Sequence, residues 1–551
     1  MGTYNGTEIM IRPQAGENRT PEVVRTLLQA QDGTVLKFEE GGYDFYEEGA
    51  YEGYFVPACN RSSDKKVIFP LLNRNGITID GNGARFLFHS KVTPFIVQNC
   101  KKVTFQNFSV DFSFERCCIG KVGRVDEKGI EILVDREKYP YFIQNHSLCF
   151  EAGNRIFSNA ERRFTIRQFA NKSFHCFLAS GEIYYKDNET KLPSNVFFCD
   201  VQETPDGFVL AYHSDACYRP DLKTGEDLKI CYDTYRDNDV FFLERSQDLF
   251  FSNVRIYKGE GMGIVGQNCE NLELNRFMIQ PEKDFPEAYS TTADGVLLSN
   301  FTGKVQMDHC VISGTMDDAM SVHGFYARAE KIIGPAKILA RILHPSQGGC
   351  NVFFPGDRIR IADGIDMNVT GTAEVKESHI EDDPYLIHLE FTEAITGRIK
   401  PGDILENPER TPQVEVRNCL FEHTMAIRFG TSKKVLFEKN IVRGRHGVHV
   451  NDLLQFWYAS GCVNDVAIRD NEFAEIPCAI NIHVDRPPQS KMRHKNVTVT
   501  GNRFLHCGTA LRAQRTDQLC FKDNIFEGVT TKAEIKDCTG DFDGGRAESL
   551  I

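Results

Sequence analysis

Two short stretches hold the residues best suited to chemistry. Asp294 lies in TTADGVLLSN, and Asp317 and Asp318 lie in GTMDDAMSVHG. Three carboxylates brought onto one surface repel each other, a cost that is kept where a site uses it. Crowding also raises the pKa of at least one of them, giving a general acid beside a charged partner. Cleavage of a glycosidic bond needs that pairing. One carboxylic acid protonates the leaving oxygen, and one carboxylate activates water or attacks the anomeric carbon. Asp is also a frequent turn residue, so each aspartate alone reads equally well as a turn. The cluster is what points to catalysis.

The cluster needs a fold whose coil is about 23 residues, since 317 − 294 = 23, and such a coil brings Asp294 close to Asp317 or Asp318. A repeat supplies such a fold. Apolar residues alternate, then polar or turn residues follow, in ITIDGNG from Ile77, VTFQNFSV from Val103, LFFSNVRI from Leu249, LELNRFMI from Leu272 and VQMDHCVI from Val305. The pattern returns in VEVRNCLF from Val414, VLFEKNIV from Val435, VAIRDNEF from Val466, VTVTGNRF from Val497 and LCFKDNIF from Leu519. The starts are separated by 26, 146, 23, 33, 109, 21, 31, 31 and 22 residues. Alternation means strands, and the Asn and Gly punctuation means turns. A short period built of strands predicts an all-β, right-handed parallel β-helix. Residues one coil apart then stack at about 4.8 Å. Asn440, Asn471, Asn502 and Asn524 hold the same place in their repeats and predict an Asn ladder.

Before the first coil, TPEVVRTLLQ reads as an amphipathic helix with Thr20 as N-cap and Pro21 in the first turn. Val23, Val24, Leu27 and Leu28 would face the first coil and cap the open end of the solenoid. The two long separations are insertions. GIEILVD in the first, and GDRIRIADG, YLIHLEF and GDILEN in the second, read as strands of small β-barrel modules. The expected organisation is coil and capping helix over 1–114, a module over 115–239, central coils over 240–324, a second module over 325–412 and final coils over 413–551.

Other residues are weaker candidates. His323 follows the aspartate pair on the same strand and suits a hydrogen bond to a sugar hydroxyl, or equally to backbone. RGRHGVHVND carries Arg443, His446, His449 and Asp452. His446 and His449 have zinc-like spacing, but in a coil they are expected on different faces, so no metal is expected. Arg443 and His446 instead suit the lining of a groove. Trp457, the single Trp, falls in an extra loop of a 31-residue coil and could stack on a sugar or pack structurally. Glu260 is a candidate substrate contact a coil and a half before Asp294.

Lys and Arg total 64 and Asp and Glu 77, so the net charge is −13, which argues against nucleic acid or an anionic membrane as partner. No stretch has the roughly 20 apolar residues that span a bilayer. The first twenty residues are polar and contain no h-region, so no signal peptide is expected. The 18 cysteines include no CxxC pair and read as buried thiols.

The capping helix, coils, TTADGV, MDDAMSVHG and two large inserts together resemble the α-1,3-galactosidases of glycoside hydrolase family 110, bacterial enzymes. The resemblance runs along nearly the whole chain and implies a pectin-lyase-like solenoid. It further implies an exo-acting, inverting hydrolase that uses no metal or other cofactor. Asp294, Asp317 and Asp318 match the family's essential aspartates. The implied substrate is a glycan with terminal α-1,3-linked galactose, of the blood-group-B type, with linear Galα1-3Gal taken by some members. A periplasmic or secreted location is also implied, and the polar N-terminus departs from it unless a leader has been removed. A homo-oligomer is expected, because long solenoids with added modules often associate. Two other readings stay open. One is a polygalacturonase-like hydrolase, although the basic string Arg398, Ile399, Lys400 lies in the second insertion rather than on a coil after the aspartates. The other is a carbohydrate-binding β-helix with no enzyme activity.

Overall fold

The computed structural model describes residues 7–59, 63–145, 147–152, 155–158, 165–168, 173–178, 196–212, 222–232, 237–282, 289–344, 347–454 and 457–542. Parallel strands stack coil upon coil, and each repeat start pairs with the next. Val103 lies beside Leu249, Leu249 beside Leu272 and Leu272 beside Val305. Val305 then pairs with Val414, followed by Val435, Val466, Val497 and Leu519. The unequal separations are therefore single coils of different length, two of them interrupted by insertions.

Each complete coil carries three strands. One face runs through Ile264–Gln267, Val296–Ser299, the start of Met320–Gly334, Ile427–Gly430 and Val448–Leu453. The face that follows holds the repeat motifs. The third holds short strands such as Val311–Ser313, Leu420–Glu422 and Ile441–Arg443. Asn418, Lys439, Asp470 and Asp523 turn the chain between the second and third faces with positive φ. That is the left-handed region in which short polar residues are enriched.

The next residue at this corner points inward and forms a column. Asn440 N donates to Asn471 Oδ1 at 2.8 Å, Asn471 N to Asn502 Oδ1 at 3.1 Å and Asn502 N to Asn524 Oδ1 at 3.0 Å. Earlier coils fill the same column with Cys310 and Cys419, and Cys419 N donates to Asn440 Oδ1. Cys419 and Cys310 are buried, free thiols. Towards the N-terminus the interior is aromatic. Phe69, Phe95 and Phe241 stack at 4.4 Å spacings, and Phe105 lies 4.9 Å from Phe251.

Helix Thr20–Gln29 buries Val23, Val24 and Leu27 against the first coil. Its start differs from the sequence expectation. Arg19 is the N-cap residue, while Thr20 is the first helical residue and donates its hydroxyl to Tyr46 O. Asn18 Oδ1 receives the Thr20 amide and does the work assigned to the cap. Leu28 is exposed rather than packed, because the helix is tangent to the coil over a narrow stripe.

The first insertion holds a closed barrel of strands between Cys117–Val125 and Asp227–Cys231. In the second, the strand Met320–Gly334 runs straight out of the coil and pairs with Lys337–Ile342. Pairing continues through Leu386–Phe391, Val369–Ile380, Arg358–Ala362 and Ile404–Glu406, then returns to the first strand, closing a ring. Arg486, buried on a late coil, fixes this module. It bonds Asp452 and the Tyr326 hydroxyl, and lies 3.7 Å from Glu406.

Candidate active site

The three aspartates lie where the third face turns into the first. The two turns that carry them share one pattern, Thr-x-x-Asp-small-apolar, in TTADGV and TMDDAM. Thr291 Oγ1 donates to Ala293 O at 2.8 Å, and Thr315 Oγ1 donates to Asp317 O at 2.8 Å. Thr291 and Thr315 themselves pair as a parallel bridge. Gly314, at φ +72°, bends the chain before the second turn, so that Asp317 and Asp318 leave extended alternation. Gly295 must be small, since a Cβ there would lie 2.6 Å from Ala319 O.

Register refines the expected spacing. Val296 pairs with Met320, so Asp294 stacks on Asp318 with an offset of 24, and Ala293 underlies Asp317. Gly295 N donates to Asp318 O at 2.9 Å, which ties the two turns directly. Asp294 is therefore one coil below Asp318 on the same wall, and not across a cleft from the pair.

The coil above completes the cluster. Asp318 Oδ1 accepts from Ala426 N at 3.1 Å, and Oδ2 accepts from Arg428 Nε. Asp317 Oδ1 accepts from Asp318 N at 3.1 Å. Asp294 and Asp318 are each 7% exposed, whereas Asp317 is half-buried. Burial pushes the Asp318 carboxyl above the usual carboxylate range, Arg428 opposes this and the Asp317 charge adds to it. Arg428 feels all three aspartates, and their charges hold its proton more firmly than usual despite burial. Composition and repeat spacing had not singled out Arg428. Its signal was an arginine at an outward position of the strand Ile427–Gly430, directly above the aspartate coil.

Of the weaker candidates, two histidines join the cluster. Burial, together with the nearby Arg428 charge, lowers the pKa of both His323 and His446. Burial is offset at His323 by its Nδ1 contact with Gly324 O at 2.8 Å. His446 and His449 are not on separate faces as expected. The turn before Val448 swings His446 round, and their rings meet edge to face at 5.7 Å. Among the described residues no His, Cys, Asp and Glu group has the arrangement of a metal site.

The others stand elsewhere. Glu260 is 2% exposed, and its carboxylate lies 3.2 Å from Lys91 Nζ and 2.8 Å from Arg116 Nη2. Its carbonyl accepts the Thr292 hydroxyl, so Glu260 braces the Asp294 turn from below rather than presenting an open contact. Arg443 is on the third face, exposed and 3.4 Å from Glu472. Trp457 is 45% exposed and stacks on His344 of the second module at 5.3 Å. Arg398 and Lys400 pair with Glu393 and Asp363 inside that module.

Comparison with known proteins agrees with this architecture. Residues 337–405, within the second ring of strands, match the family model described as GLAA-B beta-barrel domain II. The chain is 26% identical over 545 residues to Alpha-1,3-galactosidase B of Bacteroides thetaiotaomicron, covering 95% of this chain and 85% of that one. It is 27% identical over 561 residues to Alpha-1,3-galactosidase A of Shewanella woodyi, covering 99% and 89%. Among solved structures it is similar to a family 28 exopolygalacturonase of Yersinia enterocolitica, with TM-score 0.43 and 9% identity, covering 98% and 79%. Along almost its whole length the chain is thus similar to the alpha-1,3-galactosidases A and B, and its second barrel matches the model of a GLAA-B beta-barrel domain.

Proposed function

We propose that this protein hydrolyses terminal α-1,3-linked galactosides with inversion, using Asp317 as general acid and Asp318 with Asp294 to activate water. The observation that carries the reading is the unequal treatment of the three carboxylates. Asp318 accepts from two fixed donors, Ala426 N and Arg428 Nε, and donors so placed favour its ionised form, which has no proton to deliver. Asp294 stacks beneath it, and together they suit a water molecule. Asp317 is the more open of the adjacent pair, and its carboxyl accepts the Asp318 amide. It is the better placed to protonate a leaving oxygen. Inverting enzymes set acid and base about 6.5–9.5 Å apart, leaving room for the water. His323 and His446 flank the group and suit hydroxyl recognition. The similarity to alpha-1,3-galactosidases supports galactose as the released sugar.

The test is incubation of the full chain with blood-group-B trisaccharide and with linear Galα1-3Gal, following free galactose. Release from either supports the reading. Binding without release would favour a carbohydrate-binding solenoid, and cleavage of galacturonan alone would favour the polygalacturonase-like reading.

A further inference from the structure

Arg428 stands in a slot made by the register. Ser321 lies below it in the ladder and His449 above it. The small Ser321 leaves room for the guanidinium to reach down to the aspartate turn, where Nε bonds Asp318 Oδ2. Its Nη1 lies 3.4 Å from His449 Nδ1. A guanidinium has donors only, so His449 Nδ1 must offer its lone pair and the ring proton must sit on Nε2. Burial and the charges of Arg428, His446 and His483 push the His449 pKa far down, which keeps that ring neutral. A neutral acceptor steers Arg428 without cancelling its charge, as a carboxylate would.

Burial and the Asp317 charge oppose ionisation of Asp318, while Arg428 and the Ala426 amide favour it. Asp317 lies beside it on the same turn, and Asp294 lies on the coil beneath. From the coil above come Arg428 and, beyond it, His446 and His449, with His323 on the strand that follows Asp318. We propose that Arg428 is a positioning residue that holds Asp318 as an aimed, charged carboxylate, and that neutral His449 fixes Arg428 for this task. The inference deepens the hydrolase reading and rests on it for its kinetic consequence only.

The experiment has two arms. Carbon-13 NMR follows the Asp318 carboxyl titration in the unliganded full chain, assigned by loss of the signal in Asp318→Asn. Loss of an adjacent opposite charge moves a carboxyl by about 1–3 pH units, so Arg428→Met should raise the midpoint by at least about one unit. Arg428→Lys keeps the charge and should return most of that shift. In the kinetic arm, Arg428→Met should move the acid limb of kcat/KM upward by the same amount. It should also lower kcat about 100-fold, the scale of general acid–base assistance. Should Arg428→Met fail to fold, His449→Phe against His449→Gln makes the same test. The Phe variant loses the acceptor and should raise the midpoint, while Gln retains an acceptor and should not. An unchanged Asp318 midpoint in Arg428→Met, or in His449→Phe if that is the variant read, overturns the proposal. Inactivity of the wild type on every galactoside would overturn the hydrolase reading instead, and the titration would still decide the role of Arg428.

Discussion

Asp317 and Asp318 are neighbours in sequence with different surroundings, and the difference comes from one bend and one arginine. Gly314 turns the chain, Thr315 Oγ1 ties Asp317 O, and Arg428 with Ala426 N engages both oxygens of Asp318. Asp317→Asn should lower kcat by roughly a thousandfold with the melting temperature preserved, because general acid assistance contributes about 10²–10⁴. Near-wild-type galactose release by that variant would remove Asp317 from the mechanism. Thr315→Val keeps the shape of the turn but deletes its hydroxyl bond, and should cost about tenfold in kcat. An unchanged rate would mean that the bend is held by register alone. The three aspartates were legible in the sequence because acidic pairs at coil spacing are conspicuous. Coil spacing puts Asp294 close to Asp317 or Asp318, and the shared Thr-x-x-Asp-small-apolar pattern selects Asp318 at an offset of 24. Arg428 was not legible, since a single outward arginine on a strand resembles any surface arginine until the register puts it over the carboxylates.

At the scale of elements, the coils are held by columns of repeated bonds. Asn471 gives Nδ2 to Phe437 O and to Asn502 Oδ1, both at 2.9 Å, and accepts from Asn440. Asn471→Ala leaves several buried partners unsatisfied and should cost on the order of 3 kcal/mol in urea unfolding. A cost below about 0.5 kcal/mol would show the ladder to be incidental. His494 locks a neighbouring corner, accepting Val463 N at Nδ1 and meeting His483 O at Nε2. Burial lowers its pKa to about 4 from 6.5. A histidine depressed in the folded state stabilises it fully above pH 6.5, and this is lost as pH falls from 6.5 towards 4, up to about 3 kcal/mol. Unfolding of His494→Gln should therefore depend less on pH across that window than unfolding of the wild type; equal slopes would contradict the account. The strand motifs and their register were readable because alternation and corner residues repeat locally. The helix start was misassigned because its capping oxygen comes from Asn18, two residues before Thr20, a detail of local geometry that residue preference does not carry.

Across the whole molecule, both insertions reach the region of the aspartate turns. Arg116 N donates to Tyr289 OH at 2.7 Å and Cys117 Sγ meets Met316 Sδ at 3.7 Å, so the first module braces the residue before Asp317. The second continues the strand that carries His323 and is locked through Arg486. Removing that cation by Arg486→Met leaves Asp452 buried without its ion pair and should cost about 3–5 kcal/mol. A melting temperature within about one degree of wild type would show the lock to be dispensable. Such junctions are not legible in an acidic charge balance, because the residues concerned lie far apart in the chain and meet only when the modules dock.

The central claim is that a stacked Asp294–Asp318 pair drives water at the anomeric carbon while Asp317 protonates the leaving oxygen. Proton NMR of the first sugar released from blood-group-B trisaccharide reads this directly. The arrangement predicts β-galactose as the first product, with the α-anomer appearing later by mutarotation. Release of α-galactose first would contradict it.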